Sequence, residues 1–233
     1  MPASEHPRVA ADVVVFAFVD ASMNVLLVRR RYEPYESYWA FPGGLLEPHE
    51  TLEAAAEREL AEETGVTDTY MEQLATFSEV DRDPRGRVVS CCYLALVDAA
   101  RVRLRPGSAS REAAWSPLEP LLQRIERGER LLAFDHDHIL GYARQRLAYK
   151  LEYQNVAWSL LPERFTMSEL RRVYEAGIGR AFEPNNFRRI ALGWGVLAED
   201  GERPTGGRPA TLYRFAERRP LILAESARYR RAT

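Results

Sequence analysis

Lysine and cysteine are nearly missing from this chain. Lys150 is the single lysine among 32 basic residues, and Cys91 and Cys92 are the only cysteines. Neighbours in a strand point to opposite faces, so a bridge between these two would be strained. No disulfide framework is available, and the pair reads as small core residues of a reducing compartment. No cysteine or further histidine stands at zinc spacing from His136 and His138, so these two read as helix-capping and packing residues rather than metal ligands. Long apolar runs are also absent. Stretches such as Val13–Val19 fall far short of a bilayer span. The polar start Met1–Pro7 is not followed by a signal-peptide pattern. The expectation is a cytoplasmic protein with no membrane partner.

What is present is an ordinary globular composition, 46% hydrophobic and 28% charged over 233 residues, enough for one large domain or two smaller ones. The net charge of −2 hides an asymmetry. Residues 151–233 hold 14 Arg against 10 Asp and Glu, and the preceding part holds 18 basic against 24 acidic residues. An acidic first part joined to a basic second part points to two tasks, one of them involving an anionic polymer.

The apolar pattern divides the chain at the same place. Ala10–Val19 and Asn24–Arg30 predict strands joined by a turn at Asp20–Met23, and Tyr32–Pro42 reads as loop. Glu50–Thr64 predicts a helix closed by Gly65. Met71–Glu79 and Arg87–Val97 predict strands, and Trp115–Arg127 and Asp135–Lys150 predict helices. From Leu151 onward short helices take over: Asn155–Leu161, a helix from the capping box Thr166–Glu169 to about Ala176 ended by Gly177 and Gly179, and Pro184–Leu192. Strands Val196–Glu199 and Ala210–Phe215 flank a turn at Asp200–Gly207. Short helices followed by a hairpin are the order of a winged helix-turn-helix. The reading is α+β, with domains at 8–150 and 151–219 and a tail at 220–233, read as a short helix or loose chain.

Chemistry concentrates between Gly44 and Val66. Gly44, then Glu50, Arg58-Glu59-Leu60, Glu62-Glu63 and Gly65-Val66 recur at fixed spacing. On a helix, Glu59, Glu62 and Glu63 share one face. Carboxylates that close repel, so the cluster calls for cations, and its oxygens suit Mg²⁺ or Mn²⁺ bridging to phosphates. Arg58 lies beside this face and is placed to pair with Glu50, while Gly43 and Gly44 permit close backbone approach. The plainer reading is a solvated Glu-rich helix face.

These residues match every fixed position of the Nudix box, and residues 8–150 resemble the Nudix family. The resemblance implies a mixed sheet flanked by helices, a bound nucleoside diphosphate-type ligand, metal ligands at Glu59, Glu62 and Glu63, and a catalytic set of these with Gly44, Glu50 and Arg58. The segment Phe77–Arg87 is similar to that of ADP-ribose-type members, with Arg82 and Arg85 as candidate phosphate contacts. Arg29 and Arg31 are further candidates. Trp39 and Phe41 either stack on a base or close the core.

In the basic part, Asn185, Asn186, Arg188 and Arg189 open a candidate recognition helix and suit contacts with adenine and guanine edges. Arg203 and Arg208 flank a candidate wing, and Arg171 and Arg172 are candidates for backbone contacts. The plainer alternative is a small helical appendage for dimerisation. Phe134–Leu140, Leu151–Tyr153, Phe165–Leu170, Asn186–Arg189 and Gly206–Pro209 are similar to the Nudix-related transcriptional regulators, the NrtR family. That resemblance covers nearly the whole chain. It implies a homodimer that binds operator DNA of NAD-metabolism genes and is released by ADP-ribose or a related NAD metabolite. The intact box keeps a second reading open, an active Mg²⁺-dependent ADP-ribose diphosphatase whose C-terminal domain serves assembly. A third is a Nudix hydrolase of another nucleotide.

Overall fold

The computed structural model describes residues 6–67, 69–204 and 209–223. Strands β1 (Arg8–Val19) and β2 (Ser22–Arg30) form an antiparallel hairpin. Its turn residues Asp20 and Ala21 both have positive φ, 47° and 60°. That twist matches the right-handed twist of the flanking strands. Short strands β3 (Trp39–Ala40) and β4 (Gly43–Leu45) follow, then helix α1 (Leu52–Thr64), then β5 (Tyr70–Phe77) and β6 (Val88–Val97). β6 lies parallel to β1 from Arg8↔Val88 to Ala17↔Val97, while the other pairings are antiparallel. The sheet is therefore mixed, in the order β3-β2-β1-β6-β5 with β4 on β1 and a later strand, β7 (Ser110–Pro117), on β2.

Alternation along β1 feeds two apolar layers. Val14 and Phe16 enter one core, and Ala11, Val13 and Val15 enter the other, where Ala55, Ala56 and Leu60 of α1 cover the sheet. Thr51 caps the N-terminus of α1 through the Ala54 N–H, and Gly65 closes its C-terminus at φ 77°. These caps hold the Glu-bearing helix in register against the Gly43-Gly44 strand.

The region after β6 differs from expectation. Ser110–Pro117 is strand β7, antiparallel to β2 with Leu26↔Trp115, and helix α2 is only Leu118–Glu126. The predicted helix from Trp115 gives way because Trp115 packs on the sheet core and the ladder takes its backbone. Pro117 then marks the switch from strand to helix.

Helix α3 (His136–Tyr153) runs through the change of composition at Leu151. The predicted Asn155–Leu161 helix is a single 3-10 turn, Val156–Ser159. Asn155 is committed elsewhere: its N–H donates to Leu221 O at 3.0 Å and its Oδ1 accepts from Leu221 N–H at 2.6 Å. Then come β8 (Phe165–Thr166), α4 (Met167–Ile178), α5 (Pro184–Gly193), β9 (Leu197–Arg203) and β10 (Ala210–Phe215). The second sheet has the order β8-β10-β9. The capping box Thr166/Glu169 is complete. Helix α4 runs through Gly177, which packs against Leu151, and ends on left-handed Gly179. β9 extends four residues past its predicted end at Glu199, to Arg203.

Tyr174 stacks on Trp194 at 5.0 Å, and Phe187 meets both rings edge-on at 5.6 and 6.0 Å, forming the heart of this second module. They belong to the same continuous core as Val14 and Leu27 of the first sheet. Arg144 of α3 also donates to Gly177 O at 2.7 Å. No helix among the described residues is long and apolar enough to cross a membrane.

Candidate functional site

Helix α1 and strand β4 bring the box residues together, and Arg58 organises them. Its guanidinium grips Glu50 at 2.7 and 2.9 Å, Glu59 at 2.9 Å, and reaches Glu62 at 3.5 Å. Glu50 also accepts from Glu47 N–H at 2.8 Å. The Arg58 bonds, aided by that amide, hold the Glu50 carboxyl down at about 2. The predicted Arg58–Glu50 pairing is thus present in bidentate form. A Cβ on Gly44 would stand 2.0 Å from Glu59 Oε1, so only glycine lets that carboxylate lie against β4. Glu63 is buried and accepts from Gly43 N–H at 3.1 Å. Burial, with Glu59 and Asp12 nearby, raises its carboxyl to about 7.

The three carboxylates do not converge as one ligand set. Glu59 lies against β4, Glu63 turns under Gly43, and the Glu62 side chain is 64% exposed. Among the described residues no group of three acidic, histidine or cysteine side chains is placed to hold a metal ion. The donor chemistry suits a hard cation, but the arrangement does not present it. Arg58 stands among Glu50, Glu59 and Glu62 and does not touch Glu63.

Behind β4 lies a cleft of ≈110 Å³ whose walls include Asp12, Arg30, Phe41, Arg82, Arg85 and His136. Sequence reading offers only three of these six, Phe41, Arg82 and Arg85, as ligand contacts. Arg30 faces the cleft, whereas Arg29 and Arg31 do not: Arg29 approaches Glu112 at 4.0 Å and Arg31 donates to Ser110 O at 3.1 Å. Strand alternation puts the middle arginine on the opposite side from its neighbours. Arg30 and Arg85 both lie over the Phe134 ring, at 4.8 and 5.6 Å. Burial, then the Arg85 charge, pushes the Arg30 guanidinium below its ordinary value. Two guanidiniums crowding one cleft favour an anion between them.

The other predicted arginines are already engaged. Buried Arg82 clasps Asp135 at 2.7 and 3.0 Å and lies 3.7 Å from Asp12, and Arg85 clasps Asp83 at 2.7 Å. Phe41 is core, stacked on His136 at 4.6 Å, and Trp39 packs on the core outside the cleft. His136 Nδ1 accepts from Phe41 N–H at 3.0 Å, which places any proton of the neutral ring on Nε2, 3.9 Å from Asp12. Burial lowers this imidazole to about 3. Asp12 accepts from Ser90 Oγ, and burial raises its carboxyl. Its signal in the sequence is a lone acid inside the apolar run Ala10–Val19. A hollow of ≈350 Å³ shares the Arg82 and Phe134 walls with the cleft.

The second module presents a different surface. Asn185, Asn186, Arg188 and Arg189 are all exposed on α5, while Phe187 and Ala191 face the core. Arg189 donates to Asn186 Oδ1 at 2.8 Å, and Arg188 lies 5.8 Å above the Tyr213 ring. Glu183 caps the helix through the Asn185 and Asn186 N–H groups. Arg172 is exposed. Arg171 instead braces Glu175 and Phe182 O, at 2.7 and 3.2 Å, and so acts within the domain. Arg203 pairs with Glu169 at 2.7 Å. Arg208 lies outside the described residues.

Comparison with known proteins agrees with this division. Residues 6–134 match the NUDIX domain family and residues 157–215 match the NrtR DNA-binding winged helix domain. The ADPR responsive transcriptional repressor NtrR of Acinetobacter baylyi is 38% identical over 90% of this chain and 82% of its own. The crystal structure of Shewanella oneidensis NrtR with a 27mer DNA aligns at TM-score 0.77 and 35% identity, covering 89% of this chain and 93% of that one. The NUDIX domain of the same protein, complexed with ADP ribose, aligns at TM-score 0.56 and 35% identity, covering 63% and 93%. The chain belongs to the Nudix family, in the branch that joins the Nudix domain to an NrtR-type DNA-binding winged helix.

Proposed function

We propose that the protein is a transcriptional repressor of NAD-metabolism genes that binds operator DNA through α5 and the hairpin after it, and senses ADP-ribose or a related NAD metabolite in its Nudix cleft. The observation that carries this reading is one chain holding both an arginine-crowded cleft and a solvent-facing helix of Asn185, Asn186, Arg188 and Arg189. The cleft at ≈110 Å³ has room for the charged middle of such a ligand, and the adjoining hollow of ≈350 Å³ has room for the remainder. The proposed modules are 8–150 and 151–219, with a tail beyond, in a cytoplasmic homodimer whose two α5 helices read a palindrome about one helical turn apart. A ligand favouring one arrangement of the two modules would draw the population away from the DNA-competent form. The continuous core between them supports such coupling.

Fluorescence anisotropy with operator DNA, with and without ADP-ribose, tests both halves. Release of DNA on adding ADP-ribose is expected. Binding that ignores the ligand removes the sensor, and absence of binding at low salt removes the regulator.

The intact set Gly44, Glu50, Arg58, Glu59, Glu62 and Glu63 favours a second reading, Mg²⁺- or Mn²⁺-dependent ADP-ribose hydrolysis. In this arrangement it requires Arg58 to release Glu59 and Glu62. AMP production above that of a Glu59→Gln/Glu62→Gln variant tests it.

A further inference from the structure

Helix α3 opens without the cap that its sequence supplies. Asp135 stands at the N-cap position, where a carboxylate ordinarily accepts from the N–H of the second or third helical residue. Here it makes no such bond. Its backbone angles, φ −101° and ψ 19°, lie outside the extended region that Thr51 and Thr166 occupy as caps of α1 and α4. The Asp137 and His138 amides, the two that such a cap would serve, have no hydrogen-bond partner among the described residues. The other amides of this turn are engaged: His136 N–H donates to Ala133 O and Ile139 N–H to Asp135 O, each at 3.1 Å.

The carboxylate is turned away because Arg82 holds it. Its two oxygens accept from the buried guanidinium at 2.7 and 3.0 Å. Arg82 lines both the Nudix cleft and the adjoining hollow. Its Nη1 has no partner among the described residues and is not enclosed, so an anion can reach it. A phosphate that forks across Nη1 and Nη2 contests the Nη2 bond to Asp135 and sets two anions side by side, where they repel. The preceding residue is strained. Phe134 has φ 55°, a left-handed conformation unfavourable for a bulky side chain, and Arg30 and Arg85 stand over its ring.

At its other end α3 is seated on the winged helix. Arg144 donates to Gly177 O at 2.7 Å, and Leu151 packs against Gly177. Tyr174 of the same α4 meets Phe187 of α5 at 5.6 Å. Eighteen helical residues span about 27 Å, so a turn at the start of α3 is delivered to α4 and α5.

Resting on the ADP-ribose-sensing reading above, we propose that Asp135 is the switch residue of the sensor: the ligand's diphosphate takes Arg82, and the freed carboxylate moves to the Asp137 and His138 amides and caps α3. Each anion exchanges one set of donors for another, so neither state leaves a buried charge unpaired. The ligand favours the capped state because only there is Arg82 fully free, and the population shifts toward it.

Two substitutions at this one position separate the halves of the exchange. Asp135→Asn removes the charge that Arg82 clasps and keeps a capping acceptor. Asp135→Ala removes both. The full chain and both variants are compared by calorimetry with ADP-ribose, by operator anisotropy with and without ADP-ribose, and by hydrogen exchange of the α3 amides. Both variants should bind ADP-ribose at least as tightly as the parent. Asp135→Asn should weaken operator binding about tenfold with no ligand present, the scale of one helix cap. Asp135→Ala should hold the operator within about twofold of the parent and keep holding it when saturated with ADP-ribose. In the parent, ADP-ribose should slow exchange of the Asp137 and His138 amides about tenfold or more. The proposal is overturned if both variants release the operator as the parent does, if either loses ADP-ribose binding, or if the two amides ignore the ligand. A parent chain that does not bind ADP-ribose sinks the sensor reading and the switch with it. A parent that binds ADP-ribose and operator without releasing the operator removes the repressor's response, and the amides then decide the exchange itself. Thermal melts establish folding; should a variant not fold, the parent's amides decide.

Discussion

The Nudix cleft and the outer face of α5 are both arginine-rich, yet they hold their charges in opposite ways. In the cleft, Arg82 is locked to Asp135 and Arg85 to Asp83, and outside it Arg58 is locked to Glu50 and Glu59. On α5, Arg188 and Arg189 stand in solvent, Arg189 beside Asn186 and Arg188 over the Tyr213 ring. A buried ion must be paired before any ligand arrives, because desolvation without a partner is prohibitive. Cleft binding is therefore an exchange of partners, which is inherently coupled to rearrangement. Binding at α5 needs no such exchange and depends instead on phosphate charge and salt. That asymmetry suits a sensor joined to a DNA reader.

The largest effect should come from filling the close approach that builds the cleft. A Cβ on Gly43 would meet Ala11 O at 2.6 Å and Asp12 Cα at 2.7 Å, and this obstacle is backbone. Gly43→Ala should lose about 3 kcal/mol or more in denaturant unfolding. A loss below about 1 kcal/mol would mean that β4 can move away from β1, and the picture of a rigid cleft would fail.

Next in size is the buried acid. Glu63 titrates near 7 in the folded protein against an ordinary value of 4.5. The folded state holds this proton more tightly, so its contribution is complete below pH 4.5 and is lost as pH rises through about 7. Glu63→Gln, which keeps an acceptor for Gly43 N–H, should stabilise the protein above pH 7 by up to about 3 kcal/mol and lose that gain by pH 4.5. His136 has the opposite slope. Its folded value of about 3 lies below the ordinary 6.5, so stability falls as pH drops from 6.5 toward 3. Unfolding curves across pH 3–8 for Glu63→Gln and His136→Asn separate the two; a pH-independent Glu63→Gln gain would sink the assignment.

How much of this was legible before the structure follows from the range of each interaction. Short-range chemistry is readable: the Thr166/Glu169 capping box, the Gly65 cap, the Arg58–Glu50 grip and the exposed side of α5 all follow from spacing along one helix or loop. Contacts made across the sheet are not. Asp12 meets Ser90 and nears His136 only because β1 lies beside β6 and α3 packs over them. Arg30 replaces Arg29 and Arg31 because strand phase depends on which side of β2 is covered. Helical spacing likewise places Glu59, Glu62 and Glu63 on one stripe but says nothing about Arg58 folding back among them. Trp115 looked helical because nothing local reveals that β2 needs a partner.

The DNA face should respond more mildly. Arg188→Ala and Arg189→Ala are each expected to weaken operator binding by about 1–3 kcal/mol and to relax sequence preference if they read base edges. Folding stability should stay within about 0.5 kcal/mol, since both side chains are exposed. Arg171→Ala should do the reverse, because Arg171 braces Glu175 and Phe182 O. Competition with mismatched operators, alongside chemical melts, reads both quantities. A large stability loss for Arg188→Ala with unchanged selectivity would make α5 a packing element instead.

The smallest predicted effect carries the opposite sign. Gly193 closes α5, and a Cβ there would meet nothing within 4 Å, in contrast to Gly43. Glycine in a helix gives up more backbone entropy on folding than alanine does. Gly193→Ala should therefore stabilise the protein by roughly 0.5–1 kcal/mol. It should leave operator affinity within about twofold, because the methyl adds no charge and lies at the far end of the helix from Asn185 and Asn186. A loss of DNA binding with retained stability would show that the C-terminal end of α5 also approaches the duplex, and the contact surface would then extend along the whole helix rather than its first turns.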